Sequence, residues 1–128
     1  MSKKSILVVE DERIIAEVIA QTLKNEGYIV AGIESAGEQA VETTLARQPD
    51  MILMDIELEG EMNGIEAANI IKSKINIPVI YITAHMSPSR KKRAKIESNF
   101  EYIIKPFENE ILIKHIVKML QIYEAESE

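Results

Sequence analysis

The pentapeptide Met51-Ile52-Leu53-Met54-Asp55 places four consecutive apolar residues before a carboxylate. Such an unbroken run is typical of a strand buried on both faces of a parallel sheet, because a half-exposed strand alternates apolar and polar residues. Four further short apolar runs occur along the chain, at residues 6–9, 28–33, 79–82 and 102–104. The sequence therefore predicts five strands, with residues 51–54 forming the third.

Segments with the periodicity of an amphipathic helix separate these runs. The first is predicted to turn one stripe toward the core and to end at Gly27, a residue suited to a left-handed C-terminal position. A fourth helix is predicted from about Ser87-Pro88 to about Asn99, and a fifth over residues 108–123. The stripes of the first three helices are Ile15, Val18, Ile19, Thr22 and Leu23; Ala40, Val41, Thr44 and Leu45, closed by Pro49; and Ala67, Ala68, Ile71 and Ile75, ended before Pro78.

Five strand–helix units with short connections predict an α/β fold with a doubly wound, five-stranded parallel sheet. Residues 1–128 are expected to form one domain, with the ordered part over about 5–123 and a polar tail, 124–128, that frays. In open sheets of this kind ligands bind beyond the carboxyl ends of the strands. Those ends are therefore where functional residues are expected.

Composition narrows the possible functions. The chain has 46% hydrophobic and 28% charged residues, a globular balance, and it contains no cysteine for disulfides or thiolate metal sites. No run reaches the length of a membrane span, and the net charge of −6 disfavours nucleic-acid binding. We expect a cytoplasmic protein that binds neither membranes nor nucleic acid.

One segment is strongly basic despite the acidic balance. It is either a solvated helix face or a docking surface for an acidic partner. Its five cations are Arg90, Lys91, Lys92, Arg93 and Lys95.

Polar and charged residues follow four of the predicted strands. They are Glu10-Asp11-Glu12, Asp55, Thr83-Ala84-His85 and Lys105-Pro106-Phe107. Adjacent strands lie about 4.8 Å apart, so the ends of three strands fit within roughly 10 Å. Carboxylates so close repel one another, and a hard divalent cation such as Mg²⁺ is the simplest resolution. Each piece alone also has a structural interpretation: Thr83 suits a turn or helix cap, and Lys-Pro suits a turn.

In combination these residues resemble the response-regulator receiver domain along nearly the whole chain. The matching motifs are Glu10-Asp11 after Ile-Leu-Val-Val, Asp55 after Met-Ile-Leu-Met, Thr83-Ala84, and Lys105-Pro106-Phe107. The resemblance implies a flavodoxin-like (βα)5 fold with strand order 2-1-3-4-5. It also implies a phosphorylation switch in two-component signalling that is not a turnover enzyme.

The resemblance assigns a role to each matching residue. Asp55 would be the nucleophile that takes a phosphoryl group from a histidine kinase or phosphotransfer protein. Thr83 would hydrogen-bond the phosphoryl group, and Lys105 would form an ion pair with it. Tyr102 falls at the family's aromatic switch position. The ligands of Mg²⁺ would be Glu10 (directly or through water), Asp11, Asp55 and the backbone carbonyl of Glu57.

Three positions depart from the family pattern and affect the expected loop geometry. Glu10 stands where Asp is commoner, Glu59 stands where a proline usually occurs, and Asn63 replaces the usual Asp before Gly64. The loop from Asp55 to Gly64 also looks one residue longer than usual. These differences bear on the carbonyl of Glu57 as a metal ligand and leave the nucleophile unaffected.

Two other classes share parts of the pattern. A haloacid-dehalogenase-like phosphatase pairs an Asp nucleophile with Mg²⁺, Thr and Lys, but its Asp-x-Asp motif follows the first strand, and little chain is left here for a cap domain. A flavodoxin-like electron carrier needs a phosphate-binding loop after the first strand, where Glu10-Asp11-Glu12 would repel a phosphate. Turnover of a phosphate ester, or a yellow cofactor, would identify these alternatives.

Two further expectations concern regulation and output. His85 lies two residues after Thr83, and its imidazole titrates near neutral pH, so it is a candidate modulator of dephosphorylation, with an exposed loop histidine as the alternative. The predicted fifth helix has an apolar arc whose margins, near Leu112 and Met119, are expected to be partly exposed. We therefore expect a downstream protein, or a second copy of the chain, to bind the surface formed by the fourth helix, the fifth strand and the fifth helix.

Overall fold

The computed structural model describes residues 3–84 and 101–127. Within these residues strands and helices alternate as far as β4, and a fifth strand and a long helix follow. The elements are β1 (Ser5–Val9), α1 (Arg13–Asn25), β2 (Ile29–Glu34), α2 (Gly37–Arg47), β3 (Met51–Asp55), α3 (Gly64–Lys72), β4 (Val79–Thr83), β5 (Glu101–Ile104) and α4 (Asn109–Ser127). Helix α4 is the fifth helix of the sequence prediction. The predicted fourth helix lies outside the described residues. So do His85 and the basic segment 90–95.

The five strands form one parallel sheet in the order β2-β1-β3-β4-β5. This order confirms the predicted doubly wound sheet. Four of the five strands match their predicted bounds to within about one residue, and β2 is shifted by one position toward the C-terminus. Because β2 lies on one side of β1 and β3 lies on the other, β1 and β3 are neighbours. Their carboxyl ends therefore lie side by side.

Alternate side chains of β3 enter two separate cores. Met51 and Leu53 pack toward α1 and α4, whereas Ile52 and Met54 pack toward α2 and α3. All four are fully buried. Full burial of such a side chain stabilises a fold by about 1.5–3 kcal/mol. The unbroken apolar run is thus explained by a sheet that is covered by helices on both faces.

Two residues of the predicted helix stripes do not face the core. Val18 is 58% exposed and Leu45 is 36% exposed, so the expectation that both are buried is wrong. In α1 the small residues Ala16 and Ala20 occupy core positions instead, beside Ile19 and Leu23. Val18 lies outside this buried stripe of α1. Gly27 has φ +90° and follows the helix C-cap, as predicted.

The ends of two helices also differ from the prediction. Helix α3 stops at Lys72, so Ile75 lies beyond it, although Ile75 still packs against the core. Helix α4 continues through Ser127 and includes most of the tail that was expected to fray. Lys4 forms an ion pair with Glu124 at 3.0 Å, which ties the last turns of α4 to the start of β1.

The margins of the apolar arc of α4 differ from the prediction. Leu112 and Met119 are buried, so the prediction that these margins are partly exposed is wrong. The exposed apolar residues are Ile111, Val117 and Ile122. Helix α4 therefore presents apolar side chains to solvent, but outside the arc that packs on the sheet. In the part of the chain that the structure describes, no helix combines the length and apolar character needed to cross a membrane.

One buried hydroxyl predicts a stabilising substitution. The side chain of Thr44 in α2 is fully buried, and within the described residues its hydroxyl has no hydrogen-bond partner. Thr44→Val should raise the free energy of unfolding by about 1 kcal/mol, because it removes an unpaired polar atom and keeps the shape of the side chain. Urea unfolding monitored by circular dichroism measures this.

The neighbouring residue provides a matched control. The hydroxyl of Thr43 donates to the carboxylate of Glu34, so Thr43→Val should lower stability. A lower unfolding midpoint for Thr44→Val would contradict the interpretation.

Candidate functional site

Three carboxylates meet at the carboxyl ends of β1 and β3. Glu10 and Asp11 directly follow β1, and Asp55 is the last residue of β3. Val9 pairs with Met54 in the sheet, so the two strand ends are in register. One carboxylate oxygen from each residue lies within 4.8 Å of the other two. The predicted acidic cluster is therefore present in the fold.

Lys105 places its ammonium among these carboxylates. Its Nζ lies 2.6 Å from Oε1 of Glu10 and 3.1 Å from Oδ2 of Asp55. The backbone N–H of Lys105 donates to the carbonyl of Thr83 at 2.8 Å, which fixes the segment after β5 against the end of β4. A cis peptide bond joins Lys105 to Pro106. Sequence reasoning expected the pairing of Lys105 with the site, but not its closer contact with Glu10.

The site carries more negative charge than Lys105 balances. The pKa of Glu10 is raised to about 7, chiefly by burial and also by the nearby Asp55, while the hydrogen bond from Lys105 acts in the opposite direction. Burial by itself lowers the pKa of Lys105, but hydrogen bonds and charge attraction from Glu10 and Asp55 outweigh it and raise that pKa overall. When all three carboxylates are ionised, one ammonium leaves two negative charges unbalanced.

The Asp55 carboxylate is held at both oxygens. The backbone N–H of Glu57 donates to Oδ1 at 2.9 Å, and Lys105 contacts Oδ2. The residue is only 4% exposed, yet it lies at the edge of the sheet. A carboxylate fixed in this way has its orientation set before any ligand arrives, which is the arrangement that positioning catalysis requires.

The loop between β3 and α3 depends on a close approach at Gly64. A Cβ added at Gly64 would lie 2.0 Å from the backbone oxygen of Asp55, so only glycine fits there. Its N–H donates to the carbonyl of Ile56 at 2.9 Å. Helix α3 is then capped by Asn63, whose side chain accepts from the N–H of Glu66 at 2.9 Å. In return, the Glu66 carboxylate accepts from the Asn63 N–H, forming a capping box. Asn63, which replaces the Asp usual in the family, thus still caps the helix.

Thr83 and Tyr102 lie where the strand prediction put them. Thr83 ends β4 and is fully buried, and its hydroxyl lies 3.4 Å from Oε1 of Glu57. Tyr102 is half-buried in β5 and pairs in register with Tyr81 of β4. The Glu57 side-chain contact was not predicted from the sequence. The sequence did hold a signal for this contact. In an extended segment, side chains two residues apart point to the same side, so residue 57 would lie on the same side as Asp55.

An apolar groove runs beside the acidic cluster. Ile14 and Val18 of α1 are 79% and 58% exposed and face Phe107 across it. Lys105 and Ala84 also line the groove, so it reaches the edge of the site. Exposed apolar surface next to a charged centre is typical of a protein-binding surface.

Every ligand atom that the acidic cluster offers is a carboxylate oxygen, which suits a hard divalent cation. Mg²⁺ binds through carboxylates, waters and phosphate oxygens rather than through nitrogen or sulfur ligands. When the three carboxylates are ionised, the negative charge that Lys105 leaves unbalanced favours a bound cation. The residues present therefore fit such an ion.

The sequence of the chain is similar to a known family and to curated proteins. The family model described as the response regulator receiver domain matches residues 6–117. The transcriptional regulatory protein PdtaR of Mycobacterium tuberculosis is 34% identical over 88% of this chain and 55% of its own length. The heme response regulator HssR of Staphylococcus aureus is 36% identical over 94% of this chain and 53% of its own. The chain thus spans about half the length of these curated relatives.

A solved structure shares the fold over its whole length. The signal receiver domain of a modulated diguanylate cyclase from Desulfovibrio desulfuricans G20 superposes with a TM-score of 0.88 at 32% identity, covering 98% of this chain and 99% of the other. This structural similarity supports the fold described above.

Proposed function

The chain belongs to the response regulator receiver domain family, and we propose that it accepts a phosphoryl group on Asp55 in a Mg²⁺-dependent reaction. The observation that carries this proposal is the meeting of Asp11, Asp55 and Lys105 at one edge of the sheet. The family consists of signalling switches, and the same role is proposed here: one phosphorylation event with slow self-dephosphorylation, not enzymatic turnover.

In the proposed reaction a carboxylate oxygen of Asp55 attacks the phosphorus of a phosphohistidine. The new O–P bond forms as the P–N bond breaks, and the electron pair stays on the imidazole nitrogen of the donor. Lys105 balances charge on the transferred oxygens, and the N–H of Glu57 keeps Asp55 oriented. A bound Mg²⁺ would supply charge neutralisation at the phosphoryl oxygens, held by Asp11, Asp55, Glu10 and the backbone carbonyl of Glu57.

The switch is proposed to begin at Thr83. Phosphorylation adds a charge of about −1.5 to −2 and new acceptor oxygens, which attract the hydroxyl of Thr83. Thr83 pairs in register with Ile104 of β5, two residues beyond Tyr102. A shift at Thr83 would therefore be felt in β5, where Tyr102 is the proposed aromatic switch. The role of His85 in dephosphorylation stays a prediction.

Magnesium affinity should depend on pH through Glu10. Its pKa is about 7, and a carboxylate must be ionised to favour a cation, so affinity should fall by up to about tenfold between about pH 8 and about pH 6. Calorimetric titration with Mg²⁺ at about pH 6 and about pH 8 measures this. In Glu10→Gln the dependence should flatten over the same range. Equal affinity of the wild type at both pH values would contradict it.

The same group has a consequence for stability without metal. Its folded-state pKa is raised from 4.5 to about 7, so its contribution to stability is fully present below pH 4.5 and is lost as the pH rises through about 7.

The phosphodonor is proposed to be a histidine kinase or phosphotransfer protein rather than only a small molecule. The exposed Ile14 and Val18 lie along the groove that reaches Lys105. A protein that seats on this groove would bring its phosphohistidine to the site edge and cover the apolar side chains. A small phosphodonor would have no use for this surface.

We propose that phosphorylation strengthens self-association, or binding of a downstream protein, through β5, α4 and the fourth helix predicted from about Ser87-Pro88 to about Asn99. Ile104 and Ile111 are exposed on β5 and α4, which gives this surface an apolar component. Sedimentation with Mg²⁺ and beryllofluoride, a phosphoryl mimic, should give a larger average mass than sedimentation without it. Ile111→Ser should reduce the gain.

Val117→Ser is the matched control. Val117 is also exposed, but it lies six residues further along α4, so its side chain points about 120° away from that of Ile111 around the helix axis. A monomer with and without the mimic at high concentration would rule out the homodimer and leave a heterologous partner.

The experiment that tests the proposed function is direct. The wild-type chain is incubated with acetyl phosphate and Mg²⁺, or with acetyl phosphate and a chelator, and its intact mass is measured. One added phosphoryl group with Mg²⁺, and none with the chelator, is expected. Labelling that ignores the metal would contradict the proposal.

A further inference from the structure

Glu57 contacts both residues that the proposed switch depends on. Its backbone N–H donates to Oδ1 of Asp55 at 2.9 Å, and its side-chain Oε1 lies 3.4 Å from the hydroxyl of Thr83. The carboxylate is therefore beside the path between Asp55 and Thr83. The side chain of Thr83 is fully buried, whereas Glu57 as a whole is exposed.

The hydroxyl of Thr83 cannot serve two acceptors at once as a donor. A threonine hydroxyl carries one proton. While that proton is donated to Glu57, it is not available to a phosphoryl oxygen on Asp55. The contact at 3.4 Å is long for an O–H···O bond, so it is weak and readily exchanged. A weak resting contact is what a reversible switch needs, since a strong one would prevent switching.

The charge of Glu57 acts in the same direction. A phosphoryl group on Asp55 would bring about two negative charges near a carboxylate that already touches Thr83. Like charges at this separation repel. Phosphorylation would therefore have to displace the Glu57 side chain from Thr83 and move it outward toward solvent.

We propose that the side chain of Glu57 is a positioning residue that holds Thr83 in the resting state and competes with the phosphoryl group for its hydroxyl. This inference rests on the proposed function. The proposed metal contact of Glu57 uses only its backbone carbonyl, and substitution of the side chain leaves that atom in place. Glu57 then sets how strongly the resting state is favoured.

The test compares binding of the mimic by two Glu57 variants. With Mg²⁺ present, Glu57→Ala should bind beryllofluoride about three- to tenfold more tightly than the wild type, because it lacks both the competing acceptor and the charge. Glu57→Gln keeps an acceptor oxygen and loses the charge, so its affinity should lie between the two. Calorimetric titration gives the affinities.

Glu59→Ala and Glu59→Gln are the matched controls. Glu59 is an exposed acidic residue of the same loop, and these variants change the net charge by the same amount. Their affinities should stay within about twofold of the wild type, since exposed charges are screened. An equal gain in the Glu59 variants would reduce the effect to net charge and overturn the inference.

A second readout reports on Thr83 itself. In methyl NMR spectra of the resting proteins, the Thr83 signal of Glu57→Ala should move toward its position in the wild type with beryllofluoride. Wild-type affinity together with an unmoved Thr83 signal in Glu57→Ala would overturn the inference alone. Failure of the wild type to bind beryllofluoride would overturn the proposed function, and the inference with it.

Discussion

Asp55→Asn is expected to take up no phosphoryl group from acetyl phosphate in the presence of Mg²⁺. An amide oxygen is a poor nucleophile and carries no charge for a cation, so both the attack and the metal site fail. The fold should survive, because the substitution removes one of three close carboxylates and leaves Lys105 paired with Glu10 at 2.6 Å. Intact-mass spectrometry measures the loss, and thermal unfolding checks the fold.

Asp50→Asn is the matched control for this variant. Asp50 precedes the same strand at its opposite end, is exposed, and accepts a hydrogen bond from the N–H of Ser5 at 2.8 Å, which an amide oxygen can also accept. It should be labelled as fast as the wild type. Undiminished labelling of Asp55→Asn would remove Asp55 from the role of nucleophile.

Lys105→Met is expected to slow labelling by about two orders of magnitude, the usual cost of losing one positioned charge at a reacting oxygen. Met matches Lys as far as Cε and lacks only the ammonium, so the main effect is the loss of charge. The Asp55 and Glu10 carboxylates lose their shared ammonium, and the pKa of Glu10, already about 7, should rise further. The initial rate of mass gain with acetyl phosphate, at saturating Mg²⁺ and slightly alkaline pH, is the measurement.

Magnesium binding separates this effect from loss of the metal site. With its competing cation removed, Lys105→Met should bind Mg²⁺ at least as tightly as the wild type under alkaline conditions. Lys114→Met, an exposed lysine of α4, serves as the control and should behave as the wild type. Labelling of Lys105→Met at the wild-type rate would contradict the assigned role of the ammonium.

Much of the site could be predicted because parallel strands bring their ends together. Once residues 6–9 and 51–54 are identified as buried strands, Asp11 and Asp55 must lie at one sheet edge. The strand order itself came from the resemblance, since periodicity alone does not say which strands are neighbours. The acidic cluster and Lys105 then followed without knowledge of any side-chain contact.

Features that depend on packing could not be predicted in this way. Val18 has the right spacing for a buried position, but the buried stripe of α1 includes Ala16 and Ala20 and leaves Val18 exposed. The close approach of Gly64 to the carbonyl of Asp55 is a distance between backbones that no residue pattern encodes. The contact between Glu57 and Thr83 likewise requires the loop conformation. The polar composition of residues 124–128 suggested a frayed tail, but α4 continues through Ser127.

Asp55 is proposed to be the phosphoacceptor, and locating the phosphoryl group is the direct test. The wild-type chain is labelled with acetyl phosphate and Mg²⁺, the acyl phosphate is reduced with borohydride, and the modified residue is identified by peptide sequencing in the mass spectrometer. Modification of Asp55 alone is expected, with a label that is stable to acid and labile to base. Modification of another residue, or an acid-labile label on a histidine, would contradict it.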